Sequence, residues 1–178
     1  MSNQKNQSPF KICPQCGFET LQLQHNIHYS CSQCGWDYFH NTAAAAGILL
    51  YRTDEILLVQ RNHEPEKGKY DVPGGFVNIN ESAEEAALRE CFEEIGFRPE
   101  SCAFFTSFPN QYLYKSILYY TCDLYFIARV DNPSFQIDPV EIGDVAFFKN
   151  SDIDFNTLAF PSTQNLVRLF IDAGINIH

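Results

Sequence analysis

The spacing of apolar residues divides the chain into three regions. Residues 1–10 form a polar lead, residues 11–40 hold paired cysteines between short mixed runs, and residues 41–178 carry the periodicities of strands and helices. In that last region Ala43 to Tyr51 and Glu55 to Gln60 read as strands, and Arg52-Thr53-Asp54 between them has turn chemistry, which predicts a hairpin. Asn62 to Lys69 is polar and interrupted by Pro65 and Gly68, so it reads as a loop. Val72-Pro73-Gly74-Gly75 then permits a sharp backbone excursion before Phe76 and Val77. Ser82 to Ile95 is the strongest helical window: Ala83, Ala87, Leu88, Cys91, Phe92 and Ile95 fall on one side of the wheel, and Gly96 supplies a stop. Cys102 to Phe108 and Ile117 to Val130 read as extended, the second rich enough in Tyr, Leu, Ile and Phe for a strand covered on both faces. Asp144 to Phe148 predicts another strand, and Pro161 to Ala173 a closing amphipathic helix with its proline near the start. Strands interleaved with two main helices predict an α/β fold, a mixed sheet between helices in an α/β/α sandwich.

Composition and charge narrow the class. With 45% hydrophobic and 19% charged residues in 178, the chain is expected to form one globular domain with a small appendage, and disorder is excluded. Twelve basic against 22 acidic residues give a net charge of −10, which repels nucleic-acid phosphate and anionic membrane surfaces, so neither is an expected partner. The longest apolar stretch, Ala43 to Leu50, falls well short of the roughly 18 residues that span a bilayer. The polar start is not followed by an apolar run of the secretory kind, and a cytoplasmic location is the default expectation.

The densest chemistry lies on the first predicted helix, at Arg89, Glu90, Glu93 and Glu94. At about 100° per residue the three glutamates occupy an arc of roughly 100° opposite the apolar stripe. Alone, such a run is usually a solvated helix face. Three gathered carboxylates also repel one another, and a hard divalent cation such as Mg²⁺, Mn²⁺ or Ca²⁺ relieves that repulsion. The wider spacing favours the second reading. Gly75, five residues, Glu81, seven residues, then Arg89-Glu90-Cys91-Phe92-Glu93-Glu94-Ile95-Gly96-Phe97 resembles the Nudix box, Gly-x5-Glu-x7-Arg-Glu-U-x-Glu-Glu-x-Gly-U with U apolar. Every fixed position matches; Cys91 stands where a larger aliphatic is commoner.

The resemblance implies hydrolysis of a nucleoside diphosphate linked to another group, with Glu90, Glu93 and Glu94 as ligands of a catalytic Mg²⁺ or Mn²⁺. Arg89 would pair with a glutamate of the box to orient it, and Gly75 would let the backbone pass close to substrate. Two residues compete as general base. Glu90 is one; in some members of the family a glutamate from a later loop does this work, and Glu141 stands before the strand near Asp144. Asp138-Pro139-Val140-Glu141 reads equally well as an ordinary acidic turn.

Four of the seven cysteines form two Cys-x-x-Cys pairs, Cys13/Cys16 and Cys31/Cys34, separated by fourteen residues and each followed by glycine. This spacing closes a tetrahedral Zn²⁺ site with no open position, hence a structural one; paired knuckles and an odd cysteine count argue against a disulfide framework or a redox motif. Cys91, Cys102 and Cys122 sit in apolar runs and read as core. His25, His28, His40, His63 and His178 lack metal spacing with one another and read as structural or solvated, although His28 or His40 is near enough to stand in for a cysteine.

A zinc ribbon ahead of a Nudix box is similar to the layout of the NADH pyrophosphatase family. Zinc ribbons also serve in nucleic-acid readers, but Lys5 and Lys11 are the sole basic residues before Arg52, so a scaffold or a homodimer contact is the expected role. In that family the box is followed by Ser-Gln-Pro-Trp-Pro-Phe-Pro-x-Ser, associated with the dinucleotide. This chain has Thr106-Ser107-Phe108-Pro109-Asn110-Gln111-Tyr112-Leu113-Tyr114-Lys115-Ser116, in which Ser107 and Pro109 agree while the Gln and Trp positions are Phe108 and Asn110. Phe108, Tyr112 and Tyr114 could stack on a base and Asn110 and Gln111 read its edge, or the aromatics could be core. The expected substrate is therefore a small ADP-X compound, with ADP-ribose at least as good as NADH. The rival classes are a catalytically silent nucleotide sensor and a zinc-ribbon interaction module.

Overall fold

The computed structural model describes residues 10–19, 21–25, 27–115 and 117–174. The polar lead up to Pro9, Ser116 and His178 lie outside the described residues. The chain divides between Thr42 and Ala43 into two compact units.

The first unit is a three-stranded antiparallel sheet, β1 (Leu21–Gln24), β2 (His28–Cys31) and β3 (Asp37–Phe39), in the order β1-β2-β3. Each cysteine pair sits in a turn of the same design. Gly17 N–H donates to Cys13 O and Gly35 N–H to Cys31 O, both at 2.9 Å, while Cys13 N–H donates to Phe18 O and Cys31 N–H to Trp36 O. Closing the turn this way needs a left-handed residue after the second cysteine, and the two glycines take it at φ of 76° and 74°.

The second unit is built on a mixed sheet ordered β10-β5-β4-β9-β8, comprising β4 (Ala43–Arg52), β5 (Glu55–Arg61), β8 (Ala103–Tyr114), β9 (Ile117–Arg129) and β10 (Ile142–Lys149). Two short strands, β6 (Tyr70–Asp71) and β7 (Gly74–Phe76), pair with β5 and β4. The β4–β9 pair is parallel and the others are antiparallel. Side chains alternate across the pleat, and both faces are apolar. Ile48, Leu50, Leu57, Val59, Phe126 and Ala128 pack with Ala86, Ala87, Cys91 and Ile95 of α1 (Ala83–Ile95). Their chain neighbours Leu49, Tyr51, Ile56, Leu58, Tyr125 and Ile127 pack with Leu166, Val167 and Phe170 of α2 (Pro161–Asp172). The α/β/α sandwich is thus formed by one period-2 pattern serving two helices. Among the described residues no helix is long and apolar enough to cross a membrane.

Three expectations change. β8 runs on from Phe108 to Tyr114 through Pro109, which is tolerated because β8 is the outermost strand, where a missing N–H is least costly. The start of β9 is not covered on both faces: β4 begins opposite Thr121, so Ile117 and Tyr120 have β8 alone beside them and stay exposed. On α1 the apolar wheel is corrected at two places, since Phe92 is exposed and Glu94 is buried.

Candidate active site and cysteine cluster

The helix that carries the glutamates is fixed at its start by a reciprocal cap. Ser82 Oγ accepts from Glu85 N–H, and the Glu85 carboxylate accepts from Ser82 N–H at 2.8 Å. Arg89 then ties the helix to the preceding loop. Its Nε and Nη2 donate to the two oxygens of Glu81 at 2.7 and 2.9 Å, Nη1 to Glu90 at 2.7 Å and Glu93 at 2.8 Å, and Nη2 to Phe76 O at 3.1 Å. These bonds use the full donor capacity of a guanidinium. The Glu81 carboxyl is accordingly held down to about 2, chiefly by its Arg89 bonds and then by Asn78 N–H.

A cavity of about 320 Å³ opens beside this helix, and Glu90, Glu94 and Glu141 line it together with Gly74, Gly75 and Arg89. Gly75 has no room for a side chain: a Cβ there would run into the Glu90 carboxylate, at 2.6 Å from its Cδ. Glu94 is 6% exposed and accepts only a long bond, 3.3 Å, from Gly74 N–H among the described residues. Burial, then Glu90, Asp71 and Glu141, push its carboxyl well above the usual range; Glu90 is raised mainly by burial, against the pull of Arg89. Glu94, buried with one long donor among the described residues, and the half-buried Glu90 beside it present carboxylate oxygens that a hard divalent cation would satisfy. Glu93 differs from the other two, being exposed and turned to Arg89 rather than lining the cavity.

The far part of the cavity is aromatic and polar. Tyr112 lies 5.8 Å from both the Phe76 and Phe160 rings, and all three line the cavity. Asn110 lines it too, but its amide is already engaged: Nδ2 donates to Asp123 at 2.9 Å and Oδ1 accepts from Gln111 N–H at 2.8 Å. Phe108 packs into the core under α2, and Gln111 and Tyr114 are outside the cavity lining.

Several lining residues escaped the sequence reading. Asp123 is buried and gathers Thr121, Asn110 and Ser162 at 2.6, 2.9 and 2.7 Å. Asp71 accepts from Thr163 Oγ1 at 2.7 Å and stands 3.7 Å from Arg61; burial raises its carboxyl to about 6 in spite of that arginine. His63, expected to be structural or solvated, lines the cavity, with its Nε2 at 3.2 Å from Arg61 Nη2. None of these belongs to the motif: Arg61 and His63 flank the end of β5, Asp71 ends β6, and Asp123 sits inside the long apolar run that forms β9.

In the other unit the four sulfurs already lie together. Cys13 Sγ is 3.8 Å from Cys34 Sγ, Cys16 Sγ is 3.7 Å from Cys31 Sγ, and all four are within 4.8 Å of one another. Zinc–sulfur bonds of about 2.3 Å in a tetrahedron place sulfurs about 3.8 Å apart, so the geometry fits Zn²⁺. All seven cysteines are free of disulfides. Backbone N–H from Trp36 favours the Cys34 thiolate, but desolvation and the neighbouring sulfurs prevail and push the thiol up to about 12. His28 is engaged elsewhere, with Asp37 at 2.7 Å and stacked on Phe39.

The family model for the NUDIX domain matches residues 41–170, the whole of the sheet and nearly all of α2. The chain belongs to the NUDIX family. It is 29% identical over 173 residues to the NAD-capped RNA hydrolase NudC of Haemophilus influenzae strain Rd, covering 94% of this chain and 61% of the relative. NudC of Escherichia coli strain HS is 29% identical over 143 residues, 80% of this chain and 53% of that one. This chain therefore spans between about half and three-fifths of the length of these curated relatives. Among solved structures, a NUDIX hydrolase from Nitrosomonas europaea aligns with a TM-score of 0.71 at 24% identity over 94% of both chains. The NUDIX domain of Shewanella oneidensis NrtR, solved with ADP ribose, aligns at 0.64 and 22%, covering 76% of this chain and 90% of that one. Both share its fold.

Proposed function

We propose that this protein hydrolyses a nucleoside diphosphate linked to another group, an ADP-X compound such as ADP-ribose or NADH, giving a nucleoside monophosphate and a phosphorylated remainder. The observation that carries the reading is the convergence of Glu90, Glu94 and Glu141 on one cavity walled by Gly74 and Gly75. Glu90 and Glu94, with Glu93 adjoining them on the helix, would hold Mg²⁺ or Mn²⁺, which supplies charge neutralisation for the diphosphate and a more acidic water. Arg89 keeps Glu90 oriented through its 2.7 Å bond. Glu141 is the better base: one Glu90 oxygen is committed to Arg89, whereas no described residue donates a hydrogen bond to the Glu141 side chain, which is left to take a proton from the attacking water. Gly75, lacking a side chain, leaves room for the Glu90 carboxylate at the cavity wall, Tyr112 offers a ring to the base, and Asn110 shapes that end through Asp123. The four cysteines would hold a structural Zn²⁺ in a ribbon of its own, residues 11–40 ahead of the hydrolase domain at 41–178. The relatives named NAD-capped RNA hydrolase support nucleotide-linked diphosphate chemistry and put an NAD-capped RNA among the substrates to test.

The test is a Mg²⁺ and Mn²⁺ screen over ADP-ribose, NADH, NAD, NAD-capped RNA, dinucleoside polyphosphates, sugar nucleotides and oxidised nucleoside triphosphates. Cleavage at the diphosphate is the expected result. Tight binding of an ADP-X compound without cleavage would favour the silent sensor.

A further inference from the structure

Building on Glu141 as the general base, we propose that Asn62 is the positioning residue that holds Glu141 at the cavity. Asn62 follows the last residue of β5 and sits between Arg61 and His63, both of which line the cavity. Its own polar groups serve the turn that carries Glu141. Asn62 N–H donates to Glu141 O at 2.8 Å, and its side-chain Nδ2 donates to Pro139 O at 2.7 Å. Ile142 pairs with Arg61 in the ladder, so these two bonds continue the β5–β10 pairing into the turn.

The other end of the turn is tied to α1. Asp138 N–H donates to Glu94 O at 2.9 Å, and Gln136 N–H to Ile95 O at 2.8 Å. Inside it, the Asp138 carboxylate accepts from Val140 N–H at 2.9 Å and Asp138 O accepts from Ile142 N–H at 2.8 Å. The turn is therefore strung between the end of the glutamate helix and Asn62. A tether is needed because Glu141 shares the cavity with Glu90 and Glu94, and each of those carboxylates is penalised by it. Like charges gathered there favour any movement of the turn that takes Glu141 away. The Asn62 amide opposes that movement with one short bond to a backbone carbonyl. An ionised aspartate of the same size has no hydrogen to donate and would repel the same carbonyl.

Asn62→Asp and Asn62→Ala, made in the zinc-loaded full chain, test the role in two ways. By hydrogen exchange and mass spectrometry, residues 138–142 should exchange at least about tenfold faster in both variants while α1 is unchanged. In ADP-ribose hydrolysis, kcat should fall at least about tenfold with KM within about twofold, and Asn62→Asp should lower kcat no further when Glu141 is already Gln. A residue that merely supports the fold would lower kcat equally in both backgrounds. Unchanged exchange at 138–142, or an equal loss in the Glu141→Gln background, overturns the positioning role. Wild-type turnover by Glu141→Gln overturns the base assignment on which it rests, and the exchange measurement separates the two failures.

Discussion

Glu94 illustrates how one residue is placed against its own preference. A carboxylate with 6% exposure and, among the described residues, a single 3.3 Å donor is under-compensated, so the fold holds it at a penalty in the absence of a cation. Glu94→Gln should therefore stabilise the cation-free protein at pH 7, by roughly 1–3 kcal/mol in denaturant titrations, and abolish the further stabilisation that Mg²⁺ gives the wild type. Asp71 carries a related penalty. Its carboxyl is raised from 3.8 to about 6, so between those values the native state binds more protons than the unfolded state. Asp71's contribution to stability then falls as pH rises through that window, by about 3 kcal/mol for a shift of that size, and stays lowered above it. Asp71→Asn keeps the acceptor for Thr163 and removes the charge, so its denaturation midpoint should decline less than the wild type's between pH 4.5 and 7 without Mg²⁺.

At the scale of elements, α1 and the cysteine turns were the most legible parts of the chain. The helical window from Ser82 to Ile95 is marked by its apolar spacing and by Gly96, the box spacing runs from Gly75 to Phe97, and each cysteine pair carries its glycine. What periodicity missed is what it does not encode. An apolar wheel assigns glutamate to the outside, and Glu94 is inside because the helix meets the Gly74 strand there. The strand expected to end at Phe108 runs on through Pro109 and Asn110, which the edge position of β8 admits. Asp71, Asp123 and Arg61 come together from separate strands, a juxtaposition that local sequence does not carry. The small unit yields its own test. Three short strands bury little, so a metal held by its four cysteines would be part of its folding free energy. One zinc per chain is expected by elemental analysis, and removing it with a chelator should raise hydrogen exchange across residues 21–39 while leaving residues 43–174 protected. Zinc-free protein with full protection there would exclude the structural metal.

At the scale of the whole molecule the proposed hydrolysis makes a prediction about the group attached to the nucleoside diphosphate. The cavity joins a carboxylate end to an aromatic end at Tyr112, Phe76 and Phe160, while the segment that accompanies the dinucleotide in NADH pyrophosphatases has lost its Gln and Trp. ADP-ribose should therefore be cleaved with a kcat/KM at least equal to that for NADH, and Tyr112→Ala should weaken both through KM. A preference for NADH beyond about tenfold, worth about 1.4 kcal/mol in the transition state, would show that the altered segment still reads nicotinamide.

All of this rests on diphosphate cleavage at the glutamate cavity, and one comparison reaches it directly: turnover of ADP-ribose with Mg²⁺ or Mn²⁺ by zinc-loaded wild type and by Glu94→Gln, with products resolved by chromatography. The wild type should release AMP and ribose 5-phosphate, and the variant, folded and stable, should be slower by at least about a hundredfold. Equal turnover by the two proteins, or no cleavage of any diphosphate substrate by the wild type, would contradict the assignment.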